Sequence, residues 1–433
     1  MEDLDDYILT QILLRLPSCA TVVASSPVNK RWYSLISDPN FPVQFGNHKK
    51  KTSTFLKGSG SNIDEPPFTL VITLLTKLRP YGNNKTNNVS GFVTEFMFGS
   101  PKLSLKFLPG NSFIARATFK DLVLCFDCGI FDVRGGGRVY YITNPLTKQW
   151  VALPPCPRVE YQWMPAFICQ SPYNNTQNYY NFRVVEVRRH HRDKLELVVY
   201  CSEIGDWKEI NLTFPKEAGP VTVNIKDLET VVCNGIIYFK NKLCLVGFDP
   251  FDVNVICDTT LEAKVMPPLP NFGYLLESSG QLLLVHTPNR RAVPWLWYQK
   301  DGIDIELQMV VWKLDPNQTP LVWETTFKGL CKGTGNKTES PCNSPGFRYN
   351  IYSNYIGVHP YNDTLIYMYL SYEEQLFLCN TRTECLTPLR SFSNYHLRTV
   401  QLFQRLEHQW WPTLVPCCAM PHNRAEFDTT TAS

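Results

Sequence analysis

The sequence predicts a multidomain protein, in which a small module of three helices precedes a large all-β domain. Helical periodicity is concentrated in the first 45 residues, and most of the later chain consists of short apolar runs bounded by turn residues. With 433 residues the chain is too long for one typical domain. The predicted limits are 1–45 for the helical module, 46–65 for a linker, 66–416 for the β domain and 417–433 for a tail.

The composition is typical of a folded globular protein. Hydrophobic residues make up 44% of the chain and charged residues 19%, which argues against disorder. The net charge of +3 is too small to indicate nucleic acid, and no apolar run is long enough to predict a membrane span. The acidic start argues against a secretory signal. We therefore expect no nucleic-acid or membrane partner, and a cytoplasmic location, a nuclear location or both.

The first helix is predicted from apolar residues at three- and four-residue steps up to Leu16, and Pro17 ends it. Ser18 is suited to cap a short second helix, which Pro27 interrupts. The third helix carries an apolar stripe from Val28 to Ile36 and ends before Pro39.

Three short helices in about 40 residues cannot bury a sufficient core unaided. Since this module is rich in large apolar residues, part of its surface is expected to meet another surface. The residues alone leave two alternatives open. The module either docks a separate protein or packs on the β domain of its own chain.

The segment from Ile8 to Phe41 resembles the F-box motif of plant proteins. The ordered features are Leu16-Pro17, Arg31-Trp32, Leu35-Ile36 and Asp38-Pro39-Asn40-Phe41. Two features depart from the pattern: Asp5 follows Leu4 where the family has proline, and residues 20–28 lack the usual Leu and Arg. The resemblance implies docking to a Skp-type adaptor and, through it, to cullin and RING subunits.

The resemblance also implies which side chains contact the adaptor. The expected adaptor-binding residues are Leu4, Ile8, Leu9, Ile12, Leu16, Pro17, Val28 and Trp32. For Leu13, Leu35 and Ile36, packing inside the module is an equal alternative.

The all-β domain is predicted from short runs of apolar and β-branched residues with no helical pattern between them. The ten clearest runs are 68–75, 122–126, 139–143, 182–187, 195–201, 235–239, 281–286, 307–314, 364–370 and 375–379.

A loose repeat connects these runs, in which a strand ends in a polar turn and a second apolar segment follows. The turns lie near Asn144, Ser202, Asp249, Asp315 and Asn380, at intervals of 58, 47, 66 and 65 residues. An Asp or Asn side chain can close such a turn on its own backbone. The spacing predicts a β-propeller of about six blades, with Trp150 and Trp207 in the blade cores. Residues 135–155 resemble one kelch repeat, and the whole body resembles the F-box-associated or kelch-like region of plant F-box proteins.

The sequence offers no convincing catalytic, metal or cofactor site. The run Gly135–Gly137 lacks the Lys-Ser/Thr of a phosphate loop, and Cys125 with Cys128 has no second metal-ligand pair at a usual distance. The clearest candidate surface for a client protein is the loop 288–302, because Trp, Tyr and Arg are common interface anchors. Its candidate residues are Arg290, Arg291, Trp295, Trp297 and Tyr298; alternatively, the aromatic residues cover a sheet edge.

The resemblance implies the substrate-recognition subunit of an SCF-type ubiquitin ligase, which bridges the Skp-type adaptor and an unknown client protein and is not itself an enzyme. Two alternatives remain at this stage: a propeller that binds its partners outside a ligase, and a propeller enzyme.

Overall fold

The computed structural model describes residues 5–16, 21–22, 25–38, 40–41, 44–49, 68–77, 90–97, 103–110, 113–127, 138–157, 165–170, 181–190, 194–214, 229–241, 244–252, 260–262, 264–267, 269–270, 273–287, 297–299, 302–315, 321–335, 354–370, 375–391, 397–407 and 415. Within these residues the N-terminal part is helical and everything from residue 68 onward is built of strands and turns. The prediction of a helical module followed by a large all-β region is therefore confirmed.

The helical module contains helix α1 (Asp6–Arg15), a 3-10 helix (Ser26–Val28) and helix α2 (Lys30–Ile36). Val28 was expected on the third helix but lies in the 3-10 turn, because Asn29 takes an extended backbone and caps α2. Residues 44–49 are also helical, so helical structure continues past the predicted limit at 45. The domain limits themselves remain predictions.

The strands form hydrogen-bonded sheets, which we call A to E. Sheet A has the order β2-β1-β25, with β1 (Phe68–Lys77), β2 (Ser90–Met97) and β25 (Leu397–Glu407). Sheet B follows the chain as β3 (Phe113–Phe119), β4 (Leu122–Asp127), β5 (Tyr140–Asn144) and β6 (Gln149–Ala152). Sheet C contains β7 (Ala166–Gln170), β8 (Asn181–His190), β9 (Lys194–Cys201), β10 (Asp206–Thr213) and the parallel edge strand β14 (Thr260–Glu262).

Sheet D contains β11 (Glu229–Cys233), β12 (Ile236–Asn241), β13 (Cys244–Phe248) and β15 (Lys264–Val265). Sheet E has two halves. The first half contains β16 (Tyr274–Ser278), β17 (Gln281–His286), β18 (Trp297–Gln299), β19 (Gly302–Leu314) and β20 (Glu324–Gly335). The second half contains β21 (Asn354–His359), β22 (Asn362–Leu370), β23 (Gln375–Asn380) and β24 (Cys385–Ser391). Each of the ten predicted runs overlaps one of these strands, and only Val139 and Gly235 at the starts of two runs lie outside them.

One strand of each sheet unit neighbours the corresponding strand of the next unit, and together these strands form a ring. Going round it, β25 neighbours β3, followed by β7, β11, β16 and β21, and β21 neighbours β25 again. The ring closes through sheet A, in which β1 from the start of the body pairs with β25 from its end, from Phe68 opposite Glu407 to Thr76 opposite Leu397. This pairing joins two segments about 330 residues apart in the sequence.

Alternating side chains explain how each sheet packs on two neighbours. In β1, Leu70 and Ile72 pack in a cluster with β22, whereas Val71 packs in a cluster with sheet B. In β9, Leu197 packs toward sheet D and Tyr200 toward sheet B. Both faces of these central strands are therefore buried, which explains their nearly continuous apolar sequences.

The predicted turn chemistry is present at three described turns. Asn144 Oδ1 accepts a hydrogen bond from the Leu146 N–H at 3.0 Å, and Asp249 Oδ1 accepts one from the Phe251 N–H at 2.9 Å. Asn380 Oδ1 accepts from the Arg382 N–H at 3.0 Å in the same way. Each of these side chains closes a turn on the backbone two residues further along the chain.

The two tryptophans predicted in the blade cores differ. Trp207 packs beside the cluster between sheets B and C, and its Nε1–H donates to the Pro154 carbonyl at 2.9 Å. Trp150 is 42% exposed, so the prediction that it lies in a core is wrong. It lies on β6, the last strand of sheet B, and its ring contacts Tyr141 from outside, with the ring centroids 5.8 Å apart.

Candidate functional site

The helical module has an apolar core of its own. Its buried residues are Leu13, Leu14, Val22, Ile36, Phe41 and Phe45, and Leu16, Trp32 and Leu35 pack against them. All of these residues lie between positions 13 and 45. Leu13 and Ile36 therefore follow the alternative of internal packing. The Phe41 and Phe45 rings stack at 6.3 Å between centroids, which extends the core beyond α2.

Polar contacts hold the ends of the helices together. Arg31 Nε donates to Asp6 Oδ1 at 2.5 Å, which connects the first turns of α1 and α2. Lys49 Nζ donates to the Leu16 carbonyl at 2.6 Å, just past the end of α1, where a cation is favoured by the helix dipole. Burial lowers the pKa of Lys49. The Arg31–Asp6 pair is exposed and contributes little to stability.

A second set of apolar residues in the module remains exposed, and we call it the exposed apolar set. Its members and their exposed fractions are Tyr7 at 69%, Ile8 at 46%, Ile12 at 43%, Val28 at 61% and Tyr33 at 62%. In the rest of the described chain, the large apolar side chains that are exposed are Trp150, Ile204, Val322 and Leu330. Exposed apolar surface is therefore concentrated in the module.

Helix α1 is apolar on two adjacent faces. Leu9 and Leu13 are buried, whereas Ile8 and Ile12, four residues apart and hence neighbours on the helix surface, face the solvent. A helix that only covered its own core would carry polar residues at positions 8 and 12. The second apolar face is therefore available to another surface.

The expected adaptor-binding residues fall into three groups. Ile8, Ile12 and Val28 are in the exposed apolar set. Leu9 is 3% exposed, and Leu16 and Trp32 pack against the module core, so these three offer less free surface than expected. Leu4 and Pro17 lie outside the described residues. All eight assignments to an interface remain predictions.

The sequence reasoning did not select Tyr7 and Tyr33, the two most exposed members of the set. A signal was available, because each lies next to a selected residue, Ile8 or Trp32, on a short amphipathic helix. Tyrosine combines an apolar ring with a hydroxyl that stays hydrated, which suits a partly exposed contact.

The expected client-binding residues are described only in part. Arg290, Arg291 and Trp295 lie outside the described residues. Trp297 and Tyr298 lie on strand β18, which pairs with β19, so this end of the predicted loop 288–302 is a strand. Strand β19 pairs with β17 only at residues 310–314. Its residues 303–309 pair with β20, so the β19–β20 hairpin extends beyond β17.

Glu186 on β8 is a carboxylic acid that is completely buried in the body. The Tyr140 hydroxyl donates to its Oε1, and Arg138 Nη1 lies 3.7 Å from the same oxygen. Burial raises the pKa of Glu186 to about 7, although the positive charges of Arg138 and Arg116 oppose the shift. The guanidinium groups of Arg116 and Arg138 also lie over the Phe126 ring, at 4.9 and 5.6 Å from its centroid, respectively. This network joins sheets B and C, and all of its members except the partly exposed Arg138 are buried, which indicates a structural role.

No cluster of three or more metal-binding side chains occurs among the described residues. Cys125 is buried in β4, its Sγ lies 3.6 Å from the Tyr141 carbonyl, and burial raises its pKa, so it carries an inert thiol. Cys128 lies outside the described residues. Among the described helices, none has the length and hydrophobicity that crossing a bilayer requires.

Comparisons with known proteins bear on both parts of the chain. Residues 1–44 match the F-box domain model. Residues 98–256, which span β3 to β13, match the model described as "F-box protein At3g26010-like, beta-propeller". No curated protein matches the chain.

Several solved structures are similar to the chain at low identity. A nidogen/laminin complex is 8% identical, with 81% of this chain and 100% of that chain covered, at a TM-score of 0.36. Cobalt-substituted Synechocystis ACO is 12% identical, with 75% and 78% covered, at a TM-score of 0.33. The periplasmic gluconolactonase PpgL of Pseudomonas aeruginosa is 11% identical, with 78% and 99% covered, at a TM-score of 0.29.

Family models thus match both the helical module, which carries the exposed apolar set, and part of the strand-built body. The chain carries an N-terminal F-box domain followed by a large all-β region that contains a β-propeller domain of the F-box protein type.

Proposed function

We propose that this protein is the substrate-recognition subunit of an SCF-type ubiquitin ligase. One observation carries the proposal: the F-box domain completes a core from its own residues and still exposes Tyr7, Ile8, Ile12, Val28 and Tyr33. Exposing several neighbouring apolar side chains to water is energetically unfavourable, and such a surface is typical of a protein-binding site. A Skp-type adaptor, which carries cullin and RING subunits, is the partner that F-box domains generally bind.

The geometry favours docking to a separate protein over packing on the chain's own sheets. Among the residues that the structure describes, the core cluster of the module includes none beyond position 45. The exposed apolar set lies on α1, the 3-10 turn and α2. Helices that present anchors at i and i+4 are suited to an apolar groove on a partner, and Ile8 and Ile12 have this spacing.

For the body we propose a propeller of six blades, formed by sheets A to D and the two halves of sheet E. The neighbouring inner strands from β25 round to β21 support this count, and the β1–β25 pairing supports closure of the ring. A closed ring of sheets gives a rigid platform whose loops and hairpins are free to hold a client. We assign the client contact to the hairpin around β18, with Trp297 and Tyr298 together with Arg290, Arg291 and Trp295.

In this proposal the protein contributes no catalytic side chain. Its function is proximity: a bound client is held near a ubiquitin-conjugating enzyme, which raises the effective concentration of the client's lysines. We further propose that the protein acts in the cytoplasm, the nucleus or both.

Capture of a purified Skp-type adaptor by the full-length chain tests the proposal. The double variant Ile8→Asp/Ile12→Asp should lose capture, because it places two charges on the apolar face of α1. The matched control is Val322→Asp, since Val322 is an equally apolar, 56% exposed residue of the body. Equal capture by the wild type and by the double variant would refute the proposed surface.

The client contact needs a separate experiment. In proximity labelling in cells, the wild type should label a set of proteins, some of which are labelled only when the ligase is assembled. The variant Trp297→Ala/Tyr298→Ala should no longer label those ligase-dependent proteins. The adaptor should be labelled equally in both. If the two sets are the same, the client does not bind at the β18 hairpin.

A further inference from the structure

The outer edge of sheet B is open to another strand. In sheet C, β10 pairs with the added strand β14, and in sheet D, β13 pairs with β15. In sheet E, β20 and β24 pair with each other at Lys332 and Cys385. In sheet B the order ends at β6, and none of the described strands pairs with the outer edge of β6. A short strand with an unpaired backbone edge therefore lies at the surface of the body.

The register shows which backbone groups of β6 point outward. The Leu153 N–H donates to the Tyr140 carbonyl at 2.8 Å, and the β5–β6 register continues without a shift to Gln149. Along an antiparallel pair, residues that bond to the neighbouring strand alternate with residues that do not. Trp150 and Ala152 therefore direct their N–H and C=O groups away from β5. These are the backbone groups to which an added strand can bond.

An exposed tryptophan stands beside this open backbone. Trp150 is 42% exposed, although a tryptophan side chain has a large apolar surface to bury. Its ring contacts that of Tyr141, with the centroids 5.8 Å apart and the planes tilted by 57°, and Tyr141 itself is buried. The Trp150 ring is therefore supported by the sheet and still open to solvent. An aromatic ring held in this way is typical of an interface anchor.

The charges around the edge favour an acidic partner. Lys148 is exposed and lies two residues before Trp150. Lys106 is also exposed, in the segment 103–110, which packs in the same apolar cluster as Tyr141. Within the described part of the chain, neither lysine forms an ion pair. These two positive charges therefore complement carboxylates on a partner.

We propose that β6 binds an extended acidic segment of a partner protein by strand addition. The segment bonds to the outward N–H and C=O groups of Trp150 and Ala152, packs an apolar side chain on the Trp150 ring and places a carboxylate near Lys148. The main-chain bonds supply affinity, whereas the ring and the lysine supply specificity. This surface is separate from the proposed adaptor surface and from the β18 hairpin, since β6 belongs to a different sheet.

The length of the edge favours a peptide segment over a second copy of this chain. β6 has only four residues, Gln149–Ala152, and it is soon followed by Pro154 and Pro155, which have no N–H to pair. Two copies paired through such short strands would bury far less than about 1,200 Å², the lower limit of most stable protein interfaces. A single extended segment needs no larger contact, because its bonds to the edge are made within a few residues.

Selection from a random library of short peptides on the full-length protein tests the proposal. Peptides that combine Asp or Glu with apolar residues should be enriched. The enriched peptide is then synthesised, and its affinity is measured by fluorescence anisotropy. In hydrogen–deuterium exchange on the wild type, this peptide should slow exchange of the Trp150 and Ala152 amides, because the two N–H groups become hydrogen-bonded.

Three variants and one control separate the contributions to binding. Ala152→Pro removes one outward N–H and leaves the bonds to β5 in place, so it should weaken binding about fivefold. Trp150→Ala should weaken binding about tenfold, and Lys148→Glu should weaken binding of the acidic peptide by repulsion. The matched control is Leu330→Ala, since Leu330 is a 40% exposed apolar residue on β20, and its affinity should equal that of the wild type.

The selection and the exchange measurement use the wild type alone, so the test does not depend on the folding of a variant. The proposal would be overturned if no peptide were enriched, if the enriched peptides were basic, or if the bound peptide left exchange at Trp150 and Ala152 unchanged. A wild-type dimer in analytical ultracentrifugation that Ala152→Pro converts to a monomer would also overturn it, since β6 would then bind a second copy of the chain.

Discussion

Replacing Glu186 by glutamine should stabilise the protein at high pH and leave it unchanged at low pH. The pKa of this carboxyl is about 7 in the folded chain, against an ordinary value of 4.5. Between pH 4.5 and about pH 7, Glu186 is ionised in the unfolded chain but keeps its proton in the folded chain. Stability therefore falls as the pH rises through this window and levels off above pH 7. Each unit of difference between the folded and the unfolded pKa corresponds to about 1.4 kcal/mol, so the buried, ionised Glu186 lowers the free energy of unfolding by about 3 kcal/mol above pH 7.

Glutamine has the shape of the protonated carboxyl and can still accept from the Tyr140 hydroxyl. The assay is urea unfolding of the wild type and Glu186→Gln at pH 5, 6, 7 and 8, followed by tryptophan fluorescence. The variant should gain stability over the wild type with rising pH, up to about 3 kcal/mol at pH 8. A difference that is constant from pH 5 to pH 8, or a variant that is less stable at pH 8, would refute the reasoning.

Three further predictions concern the body. Arg183→Met should lower the free energy of unfolding by about 2–4 kcal/mol at pH 7, because Arg183 is buried and pairs with both carboxylate oxygens of Glu203. Urea unfolding measures this loss, and an unchanged urea midpoint would contradict the prediction. Burial alone would raise the pKa of Glu203, but Arg183 holds this pKa below its ordinary value. The stabilisation from the Arg183–Glu203 pair should therefore disappear in the wild type as the pH falls through the acid range and Glu203 takes up a proton. Trp207→Phe should cost about 1 kcal/mol for the lost bond to the Pro154 carbonyl, as measured by thermal unfolding. Deletion of residues 397–433 removes β25 and should leave β1 with an unpaired edge. Circular dichroism and protease resistance should show that the folded body is lost. A truncated chain that resists protease as well as the full chain does would argue against closure of the ring through sheet A.

Local sequence features predicted many of the strands, because the inner strands are apolar on both faces. β17 covers the predicted run 281–286, and the Asx turns lie at Asn144, Asp249 and Asn380 as their residue types require. β20 was missed because glycine and lysine interrupt its apolar pattern. The structure gives the reason for Gly333: a side chain there would collide with the backbone carbonyl of Leu386 on β24. A contact with a strand 53 residues further along the chain cannot be read from local spacing.

The proposed adaptor-binding surface was predicted in part. Helical spacing and the F-box resemblance pointed to the segment that carries the exposed apolar set, and Ile8, Ile12 and Val28 belong to that set. The pattern did not distinguish Leu9 from Ile8, since both lie on the broad apolar face of α1. The packing of Val22, Ile36, Phe41 and Phe45 in one core with α1 decides which part of that face is covered within the domain.

The most direct test of the account is calorimetric titration of the purified full-length chain with a Skp-type adaptor at several temperatures. Burial of the exposed apolar set predicts one-to-one binding with a negative heat-capacity change. Ile8 and Ile12 are each a little under half exposed, so covering each should contribute about 1 kcal/mol, and Ile8→Ala/Ile12→Ala should weaken binding roughly thirtyfold. No binding by the wild type, or equal binding by the wild type and this double variant, would contradict the account.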